Sequence, residues 1–66
     1  MQILLNGESR DFELPLTITE LLLHMQLTGR RVAVELNGEI APRSQHASIT
    51  LSEGDRVEIV QAIGGG

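Results

Sequence analysis

The chain has 66 residues, nine carboxylates against five basic side chains, a net charge of −4 at pH 7 and no cysteine. One small domain fits that length, and such a domain buries only about 60% of the surface its unfolded chain exposes, which leaves little room for a large catalytic cleft. Disulfides, thiolate nucleophiles and cysteine metal sites are excluded, and with Phe12 as the only aromatic and an acidic pI near 4.9 a nucleic-acid partner is not expected.

Met1 to Asn6 alternates, with Met1, Ile3 and Leu5 on one face. Asn6-Gly7 signals a tight turn, because both residues tolerate positive φ. Arg10 to Leu14 alternates again, Phe12 and Leu14 against Asp11 and Glu13, so the start of the chain reads as a β-hairpin ended by Pro15. Thr17-Ile18-Thr19-Glu20 is a capping box flanked by a hydrophobic staple of Leu16 and Leu21. The helix it opens runs to Met25 or Gln26, with Ile18, Leu21, Leu22 and Met25 as its buried stripe and Leu23 off it. Gly29 closes the connection to a third strand, Arg31 to Leu36, with Val32, Val34 and Leu36 inward. Asn37-Gly38 is a second tight turn, Glu39 to Ala41 a short strand stopped by Pro42, and Arg43 to Ala47 irregular or a single helical turn. Ile49 and Leu51 are expected under the core. Ser52-Glu53-Gly54-Asp55 reads as a turn before the last strand, Arg56 to Ala62, with Val57 and Ile59 inward and Glu58 and Val60 on the opposite face.

The order β-β-α-β-β-β, with one amphipathic helix over a mixed sheet, is an α+β, β-grasp (ubiquitin-like) layout of four to five strands. A crossover from the second strand through the helix to the third would put parallel strands in the middle. Residues 1–63 form this domain, and 64–66 are expected to be a flexible glycine tail. No basic stretch with an apolar run and cleavage site opens the chain, and no apolar run approaches a membrane span, so a cytoplasmic protein without a membrane partner, monomeric when free, is expected.

No side-chain constellation for catalysis is visible. His24 and His46 lack metal-ligand spacing and are expected at the solvated surface; Ser44 and Ser52 lack a neighbouring base; Glu53 and Asp55 flank a turn glycine. What remains is the ending, Ile63-Gly64-Gly65-Gly66. With glycine at about 7% of residues, three in a row at the last three positions is a chance event of about 3 in 10,000. Such a run is a thin thread that fits a narrow channel in a partner and presents the Gly66 carboxylate there. A carboxylate becomes reactive by attack on the α-phosphate of ATP, and a sulfur nucleophile then displaces AMP to leave a thiocarboxylate. Lysine amines and cysteine thiols would capture such an activated carboxyl, and the chain has neither; arginine-favouring codon bias explains the missing lysine equally well.

The chain resembles the thiamine-biosynthesis sulfur carriers, the ThiS family, over essentially all 66 residues. The likeness rests on Met1–Gly7, on Thr17-Ile18-Thr19-Glu20-Leu21-Leu22, on the stretch from Val34 through Asn37-Gly38 to Pro42-Arg43, and above all on Gly54-Asp55-Arg56-Val57-Glu58-Ile59-Val60 with the terminal glycines. The family often has an aromatic soon after the Pro-Arg pair, where this chain carries His46. The resemblance implies a carrier rather than an enzyme, with no bound cofactor or metal. An E1-like adenylyltransferase using ATP and magnesium activates Gly66, sulfur comes ultimately from cysteine through a desulfurase, and the thiocarboxylate at Gly66 serves thiazole synthase. Gly64, Gly65 and Gly66 are then the segment inserted into partners, and Glu58 and Val60 mark a docking face. The small subunit of molybdopterin synthase shares the ending, but its members are usually longer and tend to carry a Pro-Pro pair where Gln61-Ala62-Ile63 stands here. A carrier for cysteine or methionine synthesis, or a non-covalent β-grasp binding module, stays open.

Overall fold

Two hairpins and one capped helix organise the chain. In the computed structural model, which describes residues 1–13 and 15–61, β1 (Gln2–Leu5) and β2 (Glu8–Asp11) pair antiparallel around Asn6-Gly7, with Leu5 opposite Glu8. Asn6 and Gly7 both take positive φ, 49° and 84°, as a two-residue hairpin turn demands. The second hairpin repeats the device: β3 (Val32–Leu36) and β4 (Glu39–Ala41) flank Asn37-Gly38, at φ 52° and 86°. The helix α1 (Ile18–His24) starts where the capping box placed it, with the Glu20 amide donating to Thr17 Oγ1 at 3.1 Å and the Thr17 amide donating to Glu20 Oε1 at 2.8 Å. Arg43–Gln45 forms one 3-10 turn, and β5 (Arg56–Gln61) closes the chain's secondary structure among the described residues.

The five strands lie in the order β2-β1-β5-β3-β4, so the last strand is the central one. It runs parallel to β1 and antiparallel to β3. The middle parallel pair is therefore β1 with β5, not the two strands that flank the helix: β2 goes to one edge and β3 to the other side of β5. The helix crosses one face of this sheet. Ile3, Leu5, Val34, Val57 and Ile59 from the strands meet Ile18, Leu21 and Leu22, with Leu16 and Leu51 sealing the end. Burying a side chain of this kind stabilises by about 1.5–3 kcal/mol, which is how an aliphatic core alone holds so short a chain. The loop before β5 is tied to the helix entry by Leu51 N–H to Leu16 C=O at 2.8 Å and Ile18 N–H to Ile49 C=O at 3.1 Å.

Two further expectations change. The second strand begins at Glu8, directly after the two-residue turn, and all four of its residues are exposed because it is a sheet edge; Phe12 lies beyond it, half-buried, and Leu14 falls outside the described residues. The helix ends where expected, near Met25, and a residue other than glycine closes it: Gln26 takes φ 59°, its N–H donates to Leu23 C=O at 3.0 Å and the Leu27 N–H to Leu22 C=O at 2.8 Å, a Schellman closure, while Gly29, at φ 81°, lies in the connection that follows. His46 is 5% exposed rather than solvated. Its Nε2 donates to Ala41 C=O at 2.9 Å, and its own carbonyl accepts from the Thr19 amide at 3.2 Å. The ring is thus tied to the end of β4, and the backbone of the same residue to the first turn of the helix. His24 and Leu23 are exposed, as read from the sequence.

Candidate functional site

The geometry that matters is how the body holds the strand leading to the glycines. On one side β5 pairs with β3 from Val57 to Gln61, Val32 opposite Gln61 and Leu36 opposite Val57. On the other side β1 ends at Leu5, opposite Val57, so the rest of β5 loses its strand neighbour. Asn6 takes over. The Ile59 amide donates to Asn6 Oδ1 at 2.8 Å, and Asn6 Nδ2 donates to the Ile59 carbonyl at 3.4 Å. One carboxamide thus reproduces a strand's donor and acceptor at the point where the ladder runs out. Asn37 does similar work at the start of β5: its Oδ1 accepts from the Arg56 amide at 2.9 Å and its Nδ2 donates to Asp55 Oδ1 at 3.1 Å. The sequence marks both residues as turn formers; their second role as brackets on β5 carries no sequence signal, because it depends on which strand folds in beside them.

Gly64, Gly65 and Gly66 lie outside the described residues, which end at Gln61 on β5. Glu58 and Val60 stand where expected, exposed on the sheet face opposite the helix. Glu58 sits directly across from Glu35, which in turn faces Ile40, while Val60 faces Ala33. Val60 and Ile40 are 63% and 64% exposed, and Leu4 on β1 adds 39%. Two carboxylates placed opposite each other repel. Here they are set among uncovered aliphatic side chains on the open face of the sheet.

Among the described residues no three His, Cys, Asp or Glu side chains gather to hold a metal, and no helix is long and apolar enough to cross a membrane. The one resolved protonation effect belongs to folding: hydrogen bonds from Thr17, its backbone amide first, hold the Glu20 carboxyl below its ordinary value. The described body offers a central strand and an open sheet face.

The sequence profile of the ThiS family matches residues 3–66, and the chain belongs to that family. A crystal structure described as thiamine biosynthesis protein (ThiS) from Geobacter metallireducens superposes with a TM-score of 0.84, at 35% identity and over 100% of both chains. The sulfur carrier protein ThiS of Escherichia coli is 33% identical over 66 residues, covering 100% of each. A thiazole synthase of Paramagnetospirillum magneticum is 44% identical over the whole of this chain, which spans 20% of that protein's length.

Proposed function

We propose that this chain is a sulfur carrier for thiazole formation in thiamine biosynthesis, and that its reacting group is the carboxylate of Gly66. An E1-like enzyme holding ATP and magnesium accepts the glycine run. A carboxylate oxygen attacks the α-phosphorus, pyrophosphate leaves, and an acyl-adenylate forms. A persulfide, formed by a desulfurase with sulfur from cysteine, attacks the carbonyl carbon and AMP departs; a second thiol then cleaves the resulting acyl disulfide, releasing the thiocarboxylate and leaving a disulfide on the sulfur donor. That group then passes its sulfur to thiazole synthase.

The observation that carries this reading is that the profile match runs through the terminal glycines, on a body that matches a ThiS structure end to end. Glycines suit the role because a residue without Cβ passes through a channel that any side chain would block. Thiazole synthase is favoured as acceptor because proteins of that name contain a segment like this one within a single polypeptide. Covalent linkage raises the effective concentration of one module at the other, the arrangement expected of a donor and its acceptor. The exposed face around Glu58 and Val60 is proposed as the docking surface for these partners.

The test is alkylation. Carrier incubated with the E1-like enzyme, MgATP, a desulfurase and cysteine is treated with iodoacetamide and analysed by intact mass and fragmentation. Because the chain has no cysteine, a single adduct mapped to Gly66 reports a thiocarboxylate. A variant lacking Gly66 is expected to melt like the parent and to take no label. Absence of label on the parent chain would leave the non-covalent β-grasp binding module as the better reading, and labelled carrier that serves a molybdopterin or cysteine pathway in place of thiazole synthase would move the acceptor.

A further inference from the structure

Three of the five arginines gather beside the end of β5. A hollow of about 340 Å³ is lined by Arg31, Val32, Ala33, Arg43, Val60 and Gln61. A second, of about 190 Å³, shares Val32 and Arg43 with it and brings in Arg30 and His46. Neither lining contains an aspartate or a glutamate, although the chain carries nine carboxylates. Acidic groups collect elsewhere, for example Asp11, Glu13 and Glu20 around the hollow between β2 and α1. Among the described residues the single ion pair joins the Met1 ammonium to Asp11 at 3.1 Å, so none of the three guanidinium groups has a carboxylate partner there. Arg10 and Arg56 are equally without an ion pair among the described residues, so what sets Arg30, Arg31 and Arg43 apart is that they share adjoining linings from which aspartate and glutamate are absent.

We infer that Arg31 and Arg43, with Arg30 behind them, form a cationic collar at the root of the glycine run that meets carboxylate side chains on the rim of the protein channel receiving that run. The inference rests on the proposed reading, in which the run enters a partner. Distance chooses the occupant. Gly66 lies five residues beyond Gln61, which lines the collar, and five extended residues span at most about 17 Å. When the run is threaded, the collar stays at the mouth while the reacting carboxylate sits deep, beside the nucleotide. The guanidinium forks therefore face the rim of the partner, not the phosphates of its ATP. Arginine suits that task, since its planar fork matches a carboxylate in two parallel hydrogen bonds. Val60, in the same lining, joins the collar to the proposed docking face.

The test is ATP–pyrophosphate exchange with the E1-like enzyme from the same genome, comparing the parent chain, the double reversal R31E/R43E, and R10E as a control on β2, at the far side of the sheet. Charges at an interface rim act mainly on encounter, so the double reversal is expected to raise the KM for the carrier about tenfold with kcat little changed. The parent's KM should climb as sodium chloride rises from about 0.05 M to about 0.5 M, more steeply than that of R31E/R43E, and R10E should follow the parent. Equal melting temperatures would show that the body is intact. Arg Nε–Hε resonances of the free carrier are expected to stay in place when MgATP is added, and their movement would overturn the rim in favour of phosphate. An unchanged KM for the double reversal, with the parent active, would overturn the collar alone. Failure of the parent to support exchange would overturn the carrier reading, and the collar with it.

Discussion

Replacing Asn6 separates the two things this residue does. Asn6→Gly keeps the positive φ of 49° that the turn requires and removes only the carboxamide that brackets Ile59. One of the two lost hydrogen bonds is short, at 2.8 Å, and the other is long, at 3.4 Å. A typical protein hydrogen bond contributes about 0.5–1.5 kcal/mol net, so the pair amounts to about 1–2 kcal/mol with the longer one discounted. Asn6→Ala loses the same bonds and also forces a Cβ-bearing residue without a local hydrogen-bonding side chain into the left-handed region, which adds about 1–2 kcal/mol. Each kcal/mol moves the melting temperature of a domain this size by about 4–8 °C, so Asn6→Gly should melt roughly 5–15 °C below the parent and Asn6→Ala lower still. Hydrogen exchange locates the effect: the Ile59 amide should lose protection in both variants, while the Leu5 amide should follow only the global change. If Asn6→Gly melts with the parent and the Ile59 amide exchanges at the parent's rate, Asn6 is only a turn residue and the bracket is wrong.

Acid should weaken the helix entry. The Glu20 carboxyl is held below its ordinary value, so the stability it contributes is fully present above that value of 4.5 and is lost as pH falls through the lower folded value. Glu20→Gln should flatten this part of the stability–pH curve measured by urea titration, and an identical acid limb in the two proteins would show that the capping box plays no part. Val60→Ser, at a position 63% exposed, should lower the melting temperature by no more than about 8 °C, since strand propensities differ by at most about 1 kcal/mol. It should raise the carrier's KM for adenylation without altering its salt dependence, and an unchanged KM would remove Val60 from the docking face.

The fold was legible wherever a local rule decided it. Asn-Gly pairs named both hairpin turns, Thr17 with Glu20 named the helix start to the residue, and alternation placed Val57 and Ile59 inside with Glu58 and Val60 outside. It was not legible where the decision belonged to a neighbour distant in sequence. Phe12 looks like part of the inward face of a strand, but the two-residue turn commits pairing to Glu8–Asp11 before it is reached. Gln26 carries no terminator's signature, and it ends the helix because the Leu22 and Leu23 carbonyls need closing there. His46 reads as a polar loop residue because its partner, the Ala41 carbonyl, is supplied by the end of β4. The candidate site divides the same way. The glycine run and the two outward residues of β5 can be read directly, whereas the arginine collar needs Arg30 and Arg31 from before β3 and Arg43 from after β4 brought to one place.

This division follows from what the proposed reaction asks of the body. If the reacting group is a backbone carboxylate and the nucleotide, metal and sulfur come from partners, no side chain here needs a shifted pKa or a nucleophile's geometry. The body must instead present the run from a fixed place. The fold meets that demand by making the last strand the central one, paired on both flanks at its start and bracketed by Asn6 where β1 gives out. Substitutions in the body should accordingly act through association and direction of approach, seen in KM and salt dependence. Substitutions at Gly65 or Gly66 should act on the chemistry itself, seen in kcat. A body variant that folded normally, docked with the parent's KM and yet lost kcat would require a catalytic side chain in this domain, and would contradict the assignment of all the chemistry to the terminal carboxylate.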